Sequence, residues 1–283
     1  MEGSAPSRRR QYQRFTRLER TLHALLIVSF IALALTGMTL KFSYTSWAAL
    51  ISRGFGGFET AGFIHRSAAI LMFSVFAVHL NDLNRKRREV FGGSWRTLLL
   101  GPDTMLFTRR DAREFVASLR WFVGLGPRPR YGRWTYWEKF DYFAVFWGIF
   151  VIGSTGLFLW FPELFTRVLP GSFINVAAII HSDEALLATG FIFTVHFFNT
   201  HLRPEKFPMD TVIFTGRMPV AEFKRDKPDE YDELVAAGTL ADSLVEAYQP
   251  VVIRTIRAFA WTALVTGILL VLLIIYAMVF TYR

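Results

Sequence analysis

The stretch Ala61–Leu80, AGFIHRSAAILMFSVFAVHL, decides the fold. It is long and apolar enough to cross a bilayer whose hydrocarbon core is roughly 30 Å thick, yet it carries two histidines, His65 and His79. They are 14 residues apart, nearly four helical turns, so they share a face and lie roughly 21 Å apart along the axis. A second apolar stretch, Phe173–Thr200, repeats the arrangement with His181 and His196, 15 residues apart. Ionisable side chains within a span are costly and rare, which makes them functional candidates. Imidazoles at two matched depths on facing helices are what axial ligation of b-type haem requires.

Working outward, three further segments are long enough to cross: Leu22–Phe42, Phe140–Phe161 and Ala258–Phe280. The expected fold is an all-α integral membrane bundle of five transmembrane helices, a single domain over residues 1–283. Hydrophilic loops are expected at 81–139 and 201–257. The first span is too long and too poorly bounded for a cleaved signal peptide. Hydrophobic residues make up 52% of the chain, which places it in the membrane class before any motif is read. The net charge of +9 comes from basic residues gathered at the ends of the spans, so nucleic acid is not the expected partner. There is no cysteine, which excludes disulfides, thiolate-held iron–sulfur clusters and covalently attached c-type haem within this chain.

The basic residues also orient it. Arg8, Arg9, Arg10, Arg14, Arg17 and Arg20 precede span one, and 12 Lys and Arg lie between Asn81 and Trp137, including the run Arg85–Arg88. The opposite loops offer only Arg53 and Arg167. The N-terminus is therefore expected in the cytoplasm and the C-terminus outside. Within the first loop, Asp111 to Phe122 places Phe115, Leu119 and Phe122 at helical spacing beside Arg110, Arg113 and Arg120. This reads as a helix lying on the membrane surface or packed on the spans. The second loop has eight acidic residues between Glu222 and Glu246 and is expected along the cytoplasmic face. No internal repeat is visible.

All six histidines fall in or beside spans one, two and four: His23, His65, His79, His181, His196 and His201. Spans two and four run in the same direction, and His65 and His181 both sit near their outer starts, so they are expected to ligate an outer haem. Toward the inner side, His196 lies about 60° off the face of His181 on an α-helical wheel. His201 lies nearly opposite, which suits a propionate or partner contact, or a ligand to a further haem. The inner partner of His196 is either His79, as equal spacing suggests, or His23, at similar depth on an antiparallel helix. Two or three haems are compatible with six histidines.

Arg20-Thr-Leu-His23 with Leu35-Thr-Gly37, Ile64-His65-Arg66, Trp137-Glu-Lys139 leading to Thr155-Gly-Leu-Phe-Leu-Trp160, and Ile180-His181 with His196 resemble a known family. In this order they are similar to the four spans of the membrane cytochrome b subunits of formate dehydrogenases, nickel–iron hydrogenases and thiosulfate reductases, over roughly residues 17–205. The wording of Tyr136–Tyr142, His181–Ala185 and His196–Asp210 looks like the branch that works with multihaem c-type cytochromes. The resemblance implies an outer haem on His65 and His181 and favours an inner haem on His23 and His196. His79, His201 and the fifth span depart from the formate dehydrogenase pattern and keep a third haem in play.

Gly37, Gly148, Gly153, Gly156 and Gly190 would let a porphyrin lie against backbone or serve ordinary helix packing. Arg66 suits a haem propionate. Asp183 and Glu184, early in span four, imply a protein or water cavity, or a span that starts deeper; a proton-accepting role beside a quinol is a further reading. Tyr136, Glu138, Lys139 and Asp141, where span three enters, suit a quinone headgroup, as the resemblance also implies; an interfacial aromatic belt is the competing reading. The expected function is a b-type cytochrome of the bacterial cytoplasmic membrane. It would carry electrons between a quinone pool and an extracytoplasmic c-type cytochrome or oxidoreductase subunit, in either direction. The rival readings are a transporter with a histidine proton relay and a haem-containing anchor without quinone activity.

Overall fold

A computed structural model describes residues 10–207 and 209–281; Arg8 and Arg9 lie outside the described residues. In chain order the elements are β1 (Arg10–Gln13), α1 (Arg17–Lys41), α2 (Ser46–Phe55), α3 (Phe58–Glu89), α4 (Trp95–Leu100), α5 (Arg109–Phe122) and α6 (Tyr136–Trp160). There follow α7 (Pro162–Phe165), α8 (Ser172–Phe191), α9 (Val212–Thr215), β2 (Arg217–Pro219), α10 (Val220–Asp226), α11 (Pro228–Ala236), β3 (Leu244–Glu246) and α12 (Pro250–Tyr276). The protein is 75% helical. Among the described residues, five helices are long and apolar enough to cross a membrane: α1, α3, α6, α8 continued to Leu202, and α12 continued to Thr281. The all-α, five-span architecture is therefore the observed one. The helices outrun their apolar cores, α3 by nine residues past Leu80, because Arg85 and Lys86 reach back to Asp82 and continue the helix as a charged one.

The chain divides into two compact units. One comprises Leu22–Leu80, Ala144–Met209 and Ala258–Arg283, and holds the apolar lengths of the five spans. Phe150, Ile179, Leu187 and Leu272 are each more than half exposed, a surface that only a lipid-like solvent accommodates. Alongside larger side chains such as Met38 and Leu264, the buried positions include a set of small or hydroxylic residues: Ser29, Ala34, Thr36, Thr39, Ala61, Ala177 and Thr189. Each of the four hydroxyls donates to the carbonyl four residues earlier on its own helix, so it is buried with its proton satisfied and its neighbours can approach closely. Gly267 of α12 does the same for an aromatic ring. A Cβ there would collide with the ring of Phe193, which is 4% exposed.

The other unit comprises the described residues up to Thr21, Asn81–Phe143 and Asp210–Arg257. It contains a small antiparallel sheet in the order β2-β1-β3, with Tyr12 opposite Met218 on one side and Leu244 on the other. The N-terminal segment, expected only as a basic flank, is thus the central strand. Tyr12 anchors it by stacking on Phe223 at 3.8 Å within a core that includes Val212 and Met218.

Three helices, α1, α5 and α6, have their first turns in this unit and start in the same way. Thr16 with Glu19, Thr108 with Asp111, and Thr135 with Glu138 are capping boxes, in which the acidic residue accepts from the threonine backbone N–H. Each acid also receives a lysine from elsewhere: Lys86 on Glu19 at 2.8 Å, Lys139 on Asp111 at 2.9 Å and Lys227 on Glu138 at 2.6 Å. Burial alone would raise the Asp111 carboxyl, but hydrogen bonds from Thr108 and Lys139 outweigh it and hold it below its usual range. The unfolded carboxyl therefore binds protons first as pH falls. The stabilisation is fully present above about pH 4 and is lost as pH drops through the folded value. Glu114, raised by burial against the pull of Arg110, works in the opposite sense. An acid titration of unfolding should therefore show a low-pH limb that Asp111→Asn flattens, and an unchanged limb would contradict the assignment.

The surface helix is α5, and its faces are inverted for a helix in water. Asp111, Glu114 and Ser118 are buried, whereas Phe115, Val116, Leu119 and Phe122 are exposed.

Candidate functional site

His65 on α3 and His181 on α8 come together in the spanning unit, their ring centroids 6.1 Å apart and their planes at 78°. Each ring lies against a glycine of a neighbouring helix. A Cβ on Gly37 of α1 would stand 3.1 Å from His65 Cε1, and one on Gly156 of α6 would stand 2.9 Å from His181 Cε1. Both glycines are there because the rings need the room. Of the other glycines marked as candidates, Gly153 admits the ring of Phe73, Gly148 meets only Ile152 at 3.9 Å, and Gly190 meets nothing within 4 Å.

The second ring nitrogen is held on each side. His181 Nδ1 donates to the Ile152 carbonyl at 2.9 Å, with Thr155 Oγ1 at 3.4 Å, and His65 Nδ1 lies 3.0 Å from Thr36 Oγ1. In each imidazole the other nitrogen, Nε2, is thereby kept as the one able to ligate. Two imidazoles on opposite sides of one metal ion, each bound through nitrogen at about 2 Å, hold their centroids roughly 6 Å apart. The observed separation fits that requirement, and the planes are free to turn about the shared axis. Among the described residues no three His, Cys, Asp or Glu side chains converge to hold a bare metal ion. An axial pair needs only two.

Around this pair the charged residues have defined uses. Arg66 lies over the ring of Trp160 with its guanidinium 6.0 Å from the centroid. Lys41, which the sequence does not single out, bonds Ser182 at 3.1 Å and pairs with Asp183 at 2.8 Å, at the end of α1. Glu184 accepts from Trp147 Nε1 at 3.3 Å. Asp183 and Glu184 are thus engaged with neighbouring helices.

The remaining histidines gather differently. His23 on α1 lies within electrostatic range of both His196 and His201. The α-helical wheel puts His201 nearly opposite His181, but α8 does not stay α-helical. Ile192–His196 and Phe198–Leu202 are π-helical. Closing each turn one residue later changes the rotation per residue, and it brings His196 and His201 onto the side that His23 faces. Phe197 sits between them, 6.3 Å from His196 and 6.0 Å from His201. His79 packs edge-on to Phe146 of α6 at 6.1 Å.

The residues expected at a quinone headgroup are used otherwise. Glu138 bonds Arg14 at 3.0 Å as well as Lys227, and Lys139 is buried on Asp111 and the Leu106 carbonyl at 3.2 Å. Tyr136 packs on Phe115 and Trp137. Asp141 is also engaged within the protein. These charges are taken up within the protein: Glu138 by the cations Arg14 and Lys227, and Lys139 by the carboxylate of Asp111. A cavity of about 320 Å³ lies instead in the spanning unit, lined by residues of α1, α3 and α12 that include Ile31, Leu35, Thr36, Ile64 and Ala263.

No protein-family model matches the chain, and a search of curated proteins finds no match.

Proposed function

We propose that the chain is a membrane b-type cytochrome, with His65 and His181 as the axial pair of one haem and His196 with His23 as the pair at the other level. The observation that supports this best is the first pair: two imidazoles 6.1 Å apart, each over a glycine, each with Nδ1 already engaged. When bound, such haems carry single electrons between the two levels of the bilayer. The protein's own residues set the conditions. His65 and His181 hold the outer position; Gly37 and Gly156 keep the rings seated; the exposed apolar faces of the spans hold the site in lipid.

The ring of His201 beside His23 and His196 gives the inner level a third imidazole, and His79 stands apart on the face of Phe146. A third haem would draw on these two. The basic flanks support a cytoplasmic N-terminus and an extracytoplasmic C-terminus. Electrons would then pass between a quinone pool and an extracytoplasmic c-type cytochrome or oxidoreductase subunit, and the exposed apolar face of α5 would rest on the bilayer surface. Quinone binding is no longer assigned to Glu138 and Lys139, whose charges are paired.

The test is spectroscopic. Purified protein should show b-type absorption that sharpens with dithionite, and a short-chain quinol should reduce it. Absorption that dithionite develops but quinol does not would reduce the protein to a haem-containing anchor. Seating of the ligand is tested by Gly156→Ala: the added methyl meets His181 at 2.9 Å and should displace the ring, lowering haem content severalfold. Gly190→Ala, with open space around it, should leave haem content unchanged. Equal haem content in the two variants would contradict the role given to Gly156.

A further inference from the structure

The two halves of the outer pair are built alike. Thr36 Oγ1 donates to the carbonyl of Ala32, four residues back, at 2.6 Å, and Thr155 Oγ1 donates to that of Val151, also four back, at 2.7 Å. Each threonine is followed by the glycine on which a histidine ring lies, Gly37 under His65 and Gly156 under His181. Each ring nitrogen Nδ1 meets the threonine, at 3.0 Å for His65 and 3.4 Å for His181. The His181 nitrogen also meets the Ile152 carbonyl three residues before its threonine, and the His65 ring is within backbone hydrogen-bonding range of Leu33, three residues before Thr36. The odd-numbered spans α1 and α6 thus supply a carbonyl, a hydroxyl and a bare backbone in the same register. The even-numbered spans α3 and α8 supply the imidazole. This is an internal repeat that residue identities alone do not reveal.

Because the hydroxyl proton is committed to the helix carbonyl, the threonine oxygen can only accept from the imidazole. We infer that Thr36-Gly37 and Thr155-Gly156 are two copies of one cradle that fixes His65 and His181 in the Nδ1–H tautomer, making Thr36 and Thr155 positioning residues for the outer metal ligands. The inference rests on the proposed haem ligation and adds to it a control on the ligand's electron-donating strength. An Nδ1–H held by an acceptor makes Nε2 a stronger donor, which favours the oxidised metal. Thr36 has the larger share, since it stands at 3.0 Å from its histidine, whereas Thr155 stands at 3.4 Å with the Ile152 carbonyl closer.

The experiment is a redox titration of the outer haem, identified as the one absent from His181→Ala, in Thr36→Val, Thr36→Ser and Thr155→Val. Valine keeps the shape and removes the acceptor. At a fixed ambient potential, Thr36→Val should raise the reduced-to-oxidised ratio of that haem roughly twofold to tenfold, the worth of one hydrogen bond. Thr155→Val should shift it in the same direction by less, and Thr36→Ser should titrate like the parent protein. If Thr36→Val fails to retain the haem while Thr36→Ser retains it, the cradle is supported and Thr155→Val supplies the shift. Titrations of both valine variants that coincide with the parent, or a serine variant displaced as far as the valine one, would overturn the inference while leaving haem ligation intact. A parent protein with no haem would overturn the reading beneath it.

Discussion

His65→Ala and His181→Ala should each remove one haem per polypeptide and leave the other level filled. On the proposed ligation the two substitutions should give the same product, because they remove the two ligands of one site, whose ring centroids lie 6.1 Å apart. The residues described against the two rings offer no replacement ligand. Thr36 and Thr155 are committed to helix carbonyls, and Gly37 and Gly156 offer only backbone. A five-coordinate remnant would bind weakly and show a high-spin spectrum. The inner level should respond to His23→Ala and His196→Ala, which lie in electrostatic range of each other but well along the helices from the outer pair. The assay is pyridine haemochrome content against protein concentration. Full haem content in both outer variants would refute the pairing, and loss of all haem in either would mean that the two levels do not form independently.

The second large effect concerns the buried ion-pair knot of the other unit. Glu230→Ala should destabilise that unit by about 3 kcal/mol and open the 210–257 segment to protease. Glu230 accepts from Tyr12 at 2.8 Å and Arg133 at 2.7 Å, and lies 3.5 Å from Arg14, which is 4% exposed. Removing the carboxylate leaves Arg133 and the buried Arg14 short of countercharge, with only Glu138 still on Arg14. Burial, followed by the neighbouring carboxylate, pushes the Tyr12 hydroxyl up to about 12, so it stays a neutral donor at any physiological pH. Burial also lowers Lys227 to about 8 against the pull of Glu138, so the knot has another buried cation whose charge depends on its carboxylates. Haem content should be unchanged, since every candidate ligand belongs to the spanning unit. Unchanged protease resistance in Glu230→Ala would contradict the role of the knot.

The spans were legible because twenty-residue apolar stretches have one stable outcome in lipid, and His65 with His181 because depth along parallel helices follows from residue count. The sheet was not. Its strands are three or four residues long, and its anchor, Tyr12, is matched to Glu230, 218 positions away, by contacts that no local pattern encodes. The capping boxes at Thr16, Thr108 and Thr135 are readable from spacing, but the lysines that take up their acids are not. For that reason Glu138 and Lys139 read as an available headgroup site when their charges were already paired. The wheel that set His201 opposite His181 takes 3.6 residues per turn, whereas Ile192–His196 and Phe198–Leu202, beyond α8, are π-helical. Thr36 and Thr155 were visible as letters of Thr-Gly pairs but not as acceptors, because a hydroxyl within a span normally serves only its own helix.

The central claim is that this chain holds haem b on its intramembrane histidines, and the most direct measurement is haem per polypeptide in the purified parent protein, expressed with adequate haem supply. The account predicts two haem b per chain with low-spin, bis-imidazole spectra, or three if His79 and His201 are also ligands. A colourless preparation with no pyridine-haemochrome signal would contradict it.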